Sequence, residues 1–225
     1  MRLRTILLAT GLVVGTAMGS AFAAPINLVA NGDFSSVTGG ITSPTQFGTA
    51  TGTTKQFISS WTGNNGYEIW YPSANAAVNV NATGQYTYTG LEKLWSVTAP
   101  PSGPGTFVGL DGDQTHTHPV QASIQQVLQD LTVGSTYQVS FNWAGAQMQS
   151  RTGPTTEYLA VSLGSQTQNT AVLNNASHGF TGWQTATLDF VASSTSETLK
   201  FLSVGTPSGL PPMALLTNVS ATDVP

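Results

Sequence analysis

Apolar and polar residues alternate with a period of two along several stretches of the chain. In residues 136–143 every second side chain is apolar, and residues 157–163 repeat the pattern. Successive side chains of a strand point to opposite faces, so these stretches predict half-buried β-strands. No stretch beyond residue 23 sustains the 3.6-residue period of an amphipathic helix. The chain is therefore predicted to be all-β.

Further strands are predicted at residues 26–30, 106–110, 185–191, 197–204 and 214–222. Turns rich in Gly, Pro and Asn separate these runs. The runs 185–191 and 197–204 are predicted to pair as an antiparallel hairpin, because only a short polar segment joins them. Residues 35–55 are interpreted as a long loop. Many short strands between such turns indicate a single antiparallel jelly-roll β-sandwich.

The first 23 residues have the pattern of an export signal. Two arginines come first, residues 6–19 are apolar and uncharged, and an Ala-Phe-Ala sequence ending at residue 23 fits a cleavage site. The apolar run is shorter than the ~20 residues that span a bilayer. The sequence therefore predicts a signal peptide at 1–23 and a β-sandwich domain at 24–225. The mature chain is expected to have no membrane span and to be extracellular or associated with the cell surface, with the periplasm as the alternative.

The mature chain carries little charge and no cysteine. Without Arg2 and Arg4, four basic residues remain against ten acidic ones, a net charge of −6. So few cations cannot neutralise a nucleic-acid backbone, which excludes a nucleic-acid partner, and they argue against docking on anionic lipid. The absence of cysteine removes disulfides and thiolate metal sites.

Three segments resemble the galactose-binding-like β-sandwiches, which include several carbohydrate-binding modules. Residues 27–34 (NLVANGDF) resemble their opening strand, residues 131–141 (LTVGSTYQVSF) their middle strand, and residues 214–220 (ALLTNVS) their closing strand. The three segments span nearly the whole mature chain. The resemblance implies the fold, but it leaves the ligand open because one fold hosts many functions.

The chain is also similar to bacterial exported proteins that carry a PEP-CTERM sorting tail. Segments that begin at Ser177 and at Thr206 precede the final strand, as in those proteins. The resemblance implies a following Val-Pro-Glu-Pro motif, a short membrane helix and a basic cluster. The sequence ends at Val224-Pro225, so we expect either a trimmed tail or a protein that is released rather than anchored.

The same resemblance implies a structural Ca²⁺ near the first and last strands in some relatives. Of the acidic residues in that pattern only Asp33 is present, because Ser35 and Thr217 stand where relatives have acidic side chains. Calcium takes about six to eight oxygen ligands, often carboxylates. The prediction is therefore no bound cofactor, with Asp33 as the calcium candidate.

Residues 111–118 (DGDQTHTH) contain four residues that could bind a ligand or a metal, two aspartates and two histidines. Asp111 and Asp113 superficially match the nucleophile loop of haloacid-dehalogenase-like phosphatases, but the helices and the downstream Lys and carboxylates of that chemistry are missing. The segment is interpreted as a strand and an acidic turn, with ligand or cation binding by the two aspartates as the functional alternative. His116 and His118 would point the same way on an extended chain and are zinc candidates, although solvated loop histidines are far commoner than metal sites.

The sequence contains no hydrolase motif. It has no G-x-S-x-G elbow, and no spacing pairs two carboxylates as a glycosidase requires. The acidic residues are interpreted as surface carboxylates, namely Glu68, Glu92, Asp111, Asp113, Glu157 and Asp189. The protein is predicted not to be an enzyme, with a carbohydrate hydrolase as an alternative.

Aromatic residues concentrate between residues 61 and 97. Because the C–H-rich face of a sugar ring matches a π face, four of them are candidate ligand-binding residues beside Asp111 and Asp113: Trp70, Tyr71, Tyr86 and Trp95. The alternative is that these rings belong to the core, to which Trp61, Trp143 and Trp183 are assigned. The leading hypothesis is a non-catalytic protein that binds a glycan or an extracellular polysaccharide. A structural or adhesion protein without a glycan ligand is the other binding alternative.

Overall fold

The computed structural model describes residues 25–47, 56–64, 66–78, 92–113 and 120–224. Twelve strands and one short helix form the described part of the chain. In order they are β1 (Thr45–Phe47), β2 (Thr62–Gly63), β3 (Glu68–Tyr71), α1 (Ala74–Ala77), β4 (Phe107–Asp111), β5 (Ser123–Leu128), β6 (Thr136–Gln147), β7 (Thr155–Leu163), β8 (Gln166–Asn169), β9 (Leu173–Asn175), β10 (Gln184–Val191), β11 (Glu197–Thr206) and β12 (Pro212–Val224).

The strands form two antiparallel sheets that face each other. The first has the order β1-β3-β4-β12-β6-β10, and the second has the order β2-β5-β11-β7-β8 with β9 paired to β7. The inner faces share one apolar core, in which Phe141 and Trp143 of the first sheet meet Val161 and Phe201 of the second. The predicted all-β antiparallel sandwich is confirmed, as is the core assignment of Trp61 and Trp143.

A second apolar cluster covers the outer face of the first sheet. Tyr71, Phe107 and Leu215 project there, and Leu94 from the segment after α1 lies over them. Trp183 belongs to this cluster and is only half-buried. Its ring meets Phe107 edge-on at 5.5 Å between centroids, and its Nε1 donates to the Thr98 carbonyl at 2.9 Å. The first sheet is therefore covered on both faces near its centre.

The strands β10 and β11 lie in different sheets, so the predicted hairpin between residues 185–191 and 197–204 is wrong. β10 pairs with β6, whereas β11 pairs with β5 and β7. The short segment between them crosses from one sheet to the other. The Glu197 carboxylate orders this crossing by accepting from the backbone N–H groups of Ser193 at 2.8 Å and Ser194 at 3.0 Å. Both strands send apolar side chains into the same core, and alternation alone does not distinguish this arrangement from a hairpin.

The N-terminal segment lies beside β12 without forming the regular strand predicted at residues 26–30. Leu28 donates its N–H to the Ala221 carbonyl at 2.9 Å, and Val219 donates to Gly32 at the same distance. The register of β12 is broken by a bulge between Thr217 and Ser220. Gly32 is required at this crossing, because a Cβ there would stand 1.9 Å from the Val219 carbonyl oxygen.

The predicted loop at residues 35–55 contains a strand. Within it, β1 pairs with β3 and extends the first sheet by one strand. The short run Thr-Gln-Phe has too few alternating residues for the pattern to be recognised. Residues 48–55 lie outside the described part of the chain, as does the predicted signal at 1–23. Across the described ranges, no helix has the length and apolarity to cross a membrane.

Amide side chains complete the backbone hydrogen bonding where the sheets end. Gln126 accepts from the Ala30 N–H and donates to the Ala30 carbonyl, both at 3.1 Å, and so holds the N-terminal segment on the second sheet. Gln166 of β8 makes the same two bonds to the backbone of Val191 on β10. Each amide offers a donor and an acceptor at the spacing of a peptide group. Neutral side chains therefore tie the edges of the two sheets together.

Replacing Gln126 by Ala is expected to lower the free energy of unfolding by about 1–3 kcal/mol, because both backbone groups of Ala30 lose their partner. Its neighbour Gln125 faces the opposite side of β5, so Gln125→Ala is expected to change stability by no more than about 0.5 kcal/mol. Urea unfolding followed by tryptophan fluorescence measures both variants. Equal losses in the two would show that the amide of Gln126 does not hold the N-terminal segment.

Candidate functional site

Trp70 and Tyr71 are core residues, which corrects the prediction that they bind a ligand. As neighbours on β3 they point to opposite faces of the first sheet. Trp70 is 3% exposed in the central core, and its Nε1 donates to the Phe34 carbonyl at 2.9 Å. Tyr71 is fully buried and stacks on Phe107 at 4.9 Å. Neither ring has a face that a ligand could reach. Tyr86 lies outside the described residues.

Trp95 lies at one end of the sandwich, where it stacks on His178. The two ring centroids are 3.8 Å apart with an interplanar angle of 29°; we call these rings the stacked pair. Trp95 is half-buried and His178 is exposed. The end of β6 holds both residues, since Trp95 donates its N–H to the Gln147 carbonyl at 3.0 Å and His178 donates its N–H to Gln147 Oε1 at 2.8 Å. The structure thus presents aromatic surface to solvent on a fixed frame.

The segment that follows β6 adds polar groups beside the stacked pair. Trp95 Nε1 donates to the Arg151 carbonyl at 2.7 Å, and Thr152 Oγ1 shares a hydrogen bond of 3.0 Å with His178 Nε2. Arg151 itself is exposed, and its guanidinium donates to the Ser150 carbonyl at 3.3 Å. One of the few cations of the chain therefore belongs to the segment whose backbone bonds the Trp95 ring.

An open groove of about 520 Å³ lies next to the stacked pair. It runs between the start of β7, the end of β9 and the end of β11. The loop that carries His178 borders the groove through Ala176, and its Ser177 Oγ accepts from the Gly153 N–H at 2.9 Å. The lining is neutral, and more of its surface is apolar than polar. Its polar residues are Thr155, Thr156, Asn174, Asn175 and Thr206, of which Thr155 and Asn175 are buried. These side chains offer both hydrogen-bond donors and acceptors.

Asp111 and Asp113 are buried at the same end of the sandwich, with exposures of 2% and 3%. The Asp113 N–H donates to Asp111 Oδ1 at 3.1 Å, and the Gly209 N–H donates to Asp113 Oδ2. Burial, followed by the charge of Asp113, raises the pKa of Asp111 to about 8, while Arg151 opposes the rise. The interpretation of these aspartates as surface carboxylates is therefore wrong. Their ligand binding stays a prediction, although they share this end of the fold with Arg151.

Glu68 and Glu157 are also buried, contrary to the interpretation of the acidic residues as surface groups. Burial raises the pKa of Glu157 to about 8, even though the Thr155 hydroxyl donates to Oε1 and lowers it. Burial raises the pKa of Glu68 to about 9. The alternation along β7 indicates that Glu157 is buried, because Glu157 and Leu159 lie on the same face of the strand and that face points inward. Position in the alternation overrode the usual surface preference of a carboxylate.

The described residues bring no pair of carboxylates into the groove. Glu157 lies beneath the groove residue Thr155 and has no exposed surface. Asp189 faces solvent on β10, as expected, and its Oδ1 accepts from Gln138 Nε2 at 3.2 Å. A glycosidase requires two carboxyl groups that flank one bond of the substrate. This arrangement is absent from the part of the groove that the structure describes.

The calcium site implied by the resemblance does not fit these residues. Asp33 Oδ1 accepts from the N–H of Ser35 at 3.1 Å and from its hydroxyl at 2.8 Å. The Thr217 hydroxyl, at the position of an expected Asp, donates to the Thr106 carbonyl at 2.8 Å. Among the described residues, no group of three or more His, Cys, Asp or Glu side chains could hold a metal. The zinc candidates His116 and His118 lie outside those residues.

The comparison with protein families gives one match. The family described as "Protein of unknown function (DUF642)" matches residues 110–210. This range is less than half of the 225 residues of the chain. It contains β5 to β11, Asp111 and Asp113, the segment after β6 and the loop of His178. No curated protein matches the sequence.

Among solved structures, the chain is similar to the CBM22-1 xylan-binding domain of Paenibacillus barcinonensis Xyn10C, with 12% identity, a TM-score of 0.40, and coverage of 91% of this chain and 98% of that one. It is similar to the K3 cleaved adhesin domain of Lys-gingipain from Porphyromonas gingivalis, with 13% identity, a TM-score of 0.38, and coverage of 73% and 92%. It is also similar to the enzymatically active domain of tailspike protein 4 from bacteriophage CBA120, with 17% identity, a TM-score of 0.38, and coverage of 88% of this chain and 22% of that one. These TM-scores are low, so the likenesses carry no argument about ligand or activity.

The buried carboxyl groups predict that stability falls as pH rises. Glu157 is neutral in the folded protein up to a pKa of about 8, whereas in the unfolded chain it ionises near 4.5. The unfolded chain therefore binds fewer protons between these values, and stability declines from about pH 4.5 to about pH 8. Glu157→Gln mimics the neutral carboxyl and is expected to reduce the decline by up to about 1.4 kcal/mol per pH unit. Urea unfolding at pH 5, 6, 7 and 8 measures the slope.

Asp189→Asn is the matched control for this pH series, because Asp189 is exposed on the outer side of β10. Its slope is expected to equal that of the wild-type protein. A Glu157→Gln variant with the wild-type slope would mean that Glu157 is ionised in the folded protein at neutral pH.

Proposed function

We propose that this protein is an exported, non-catalytic β-sandwich that binds a glycan at the stacked pair of Trp95 and His178 and along the adjoining groove. The observation that carries the proposal is the position of exposed aromatic surface on a fixed frame, beside a neutral groove that contains polar side chains. Sugar rings pack their C–H faces on aromatic rings, and their hydroxyl groups bond to nearby polar side chains. Both kinds of contact are available at this end of the sandwich.

The chemistry of the groove favours a neutral, hydroxyl-rich ligand. Asn174, Thr156 and Thr206 lie side by side on the paired strands β9, β7 and β11, and none of the groove residues carries a charge. An amide side chain can donate to one sugar hydroxyl and accept from another, and a threonine hydroxyl can do either. Because the groove is open, it suits a segment of a longer polysaccharide that continues beyond it. An extracellular polysaccharide is therefore the proposed partner.

The proposal that the protein does not cleave its ligand rests on the placement of the carboxyl groups. The Glu157 carboxylate bonds the groove residue Thr155 and is buried. An acid or base that acts on a glycosidic bond must reach that bond. The proposal of export rests on the pattern of the first 23 residues, and it places the protein outside the cell or at its surface.

Trp95→Ala is expected to abolish detectable binding to the glycans that the wild-type protein retains on a glycan array, because the ligand loses its aromatic contact. Trp95→Phe keeps a smaller aromatic ring and loses the Nε1–H that bonds the Arg151 carbonyl, so it is expected to keep part of the affinity. Calorimetric titration with the best glycan measures both variants, and thermal unfolding checks that each is folded.

Arg151→Gln removes the exposed cation of the segment that bonds Trp95 Nε1, whose guanidinium can donate to ligand hydroxyl groups. Lys200→Gln is its control, because Lys200 lies near the start of β11 and the groove lies at the end of that strand. Only the Arg151 variant is expected to weaken binding. Three results would contradict the proposal: wild-type protein that retains no glycan, equal binding by wild-type and Trp95→Ala protein, or release of reducing ends from the bound glycan. The last result would favour the hydrolase alternative.

A further inference from the structure

The turn formed by Asp111, Gly112 and Asp113 closes one end of the sandwich. Backbone bonds fix it on two sides: Gly112 donates its N–H to the Pro212 carbonyl at 2.9 Å, and Gly205 donates its N–H to the Gly112 carbonyl at 3.0 Å. A Cβ at Gly112 would stand 2.6 Å from the backbone nitrogen of Gly205. The turn is therefore packed directly against β11 of the opposite sheet, and its two carboxyl groups have fixed positions.

The oxygens around this turn are not all satisfied. Asp113 is at least nine-tenths buried, and its Oδ1 has no hydrogen-bond partner. Asp111 lies beside it and takes the Asp113 N–H on Oδ1. Burying a carboxylate oxygen without a partner destabilises the folded protein. A hydrogen-bond donor or a cation in contact with the oxygen removes this cost.

Ser203 supplies an independent observation from the other sheet. It is fully buried on β11, and its Oγ also lacks a hydrogen-bond partner. That oxygen lies 3.0 Å from the position that a Cβ on Gly112 would occupy, so it is directed at the turn. A hydroxyl usually finds a partner inside a protein because it can both donate and accept. Two sheets therefore send unpartnered oxygens to the same turn.

The charge around the turn is also uncompensated. Arg151, the cation whose charge acts on Asp111, is exposed, and its guanidinium donates to the Ser150 carbonyl at 3.3 Å. The unpartnered groups are all oxygens, from carboxylate and hydroxyl. Hard divalent cations prefer such ligands, and Ca²⁺ tolerates irregular sets that include backbone carbonyls and water.

We propose that the turn of Asp111 and Asp113, together with Ser203, binds a calcium ion that links the two sheets at this end of the sandwich. The proposed site lies at the C-terminal end of β4. Asp33 lies at the other end of that strand, where its backbone carbonyl accepts from the Thr106 hydroxyl. It is therefore separate from the calcium position that the sequence resemblance implies. The two aspartates supply the negative charge, and Ser203 supplies a neutral oxygen from the second sheet.

The protein is first treated with EDTA and dialysed, and CaCl₂ is then added while binding heat and the Tm are measured. A hundredfold excess of Ca²⁺ over its Kd is expected to raise the Tm by roughly 5–10 °C. MgCl₂ at the same concentration is expected to raise it less, because Mg²⁺ demands a regular octahedral site. If calcium produces neither heat nor a change in Tm at millimolar concentration, the proposal is overturned and water is left as the partner of these oxygens.

Three variants locate the site. Asp113→Asn is expected to abolish the calcium response, and Ser203→Ala is expected to weaken calcium affinity roughly 10- to 100-fold. Asp33→Asn, the control at the other end of β4, is expected to respond like the wild-type protein. If Asp113→Asn does not fold, Ser203→Ala gives the answer, because it removes one oxygen without changing any charge. A calcium response that Asp33→Asn removes and Ser203→Ala leaves unchanged would overturn the assignment to this turn.

Discussion

The central position of β12 is the constraint on which the rest of the sandwich depends. It pairs with β4 along one edge and with β6 along the other, so it joins the two halves of the first sheet. Its bulge at Asn218 turns the backbone so that Val219 can bond Gly32 of the N-terminal segment. Through β4 it also fixes the turn of Asp111, and through β6 it fixes Gln147, which positions the stacked pair. The positions of the turn of Asp111 and of the stacked pair therefore both depend on β12.

The low charge of the chain has a structural counterpart in its use of amides. Gln126 and Gln166 replace missing backbone partners, and Gln147 donates its Nε2 to the Gly153 carbonyl at 2.7 Å while its Oε1 holds His178. A neutral amide can be buried at lower cost than a charged group, and it satisfies a donor and an acceptor together. The buried carboxyl groups are the exception to this use of neutral side chains. Two of them lie at the end of the sandwich where we propose a cation.

Local patterns predicted much of the fold and little of the candidate site. The alternation in residues 136–143 placed Phe141 and Trp143 on the correct face, because sheet burial has the same period as the side chains. It could not assign β10 and β11 to different sheets, since pairing depends on contacts between segments distant in sequence. Trp95 was a candidate from its residue type, but its partner His178 comes from a distant loop. Glu157 shows the reverse case. Its position in the alternation indicates burial, whereas its residue type suggests a surface position.

The place of β12 in the chain also affects when the domain can form. Residues 212–224 must have left the ribosome before β4 and β6 acquire the strand that lies between them. Until then the first sheet exists only as two separate groups of strands, and its pairings join residues that are far apart in sequence, which slows folding. A chain that crosses a membrane as an unfolded polypeptide benefits from this delay. For the export that we propose, the topology that joins the two halves of the sheet would therefore keep the nascent chain unfolded until it has crossed the membrane.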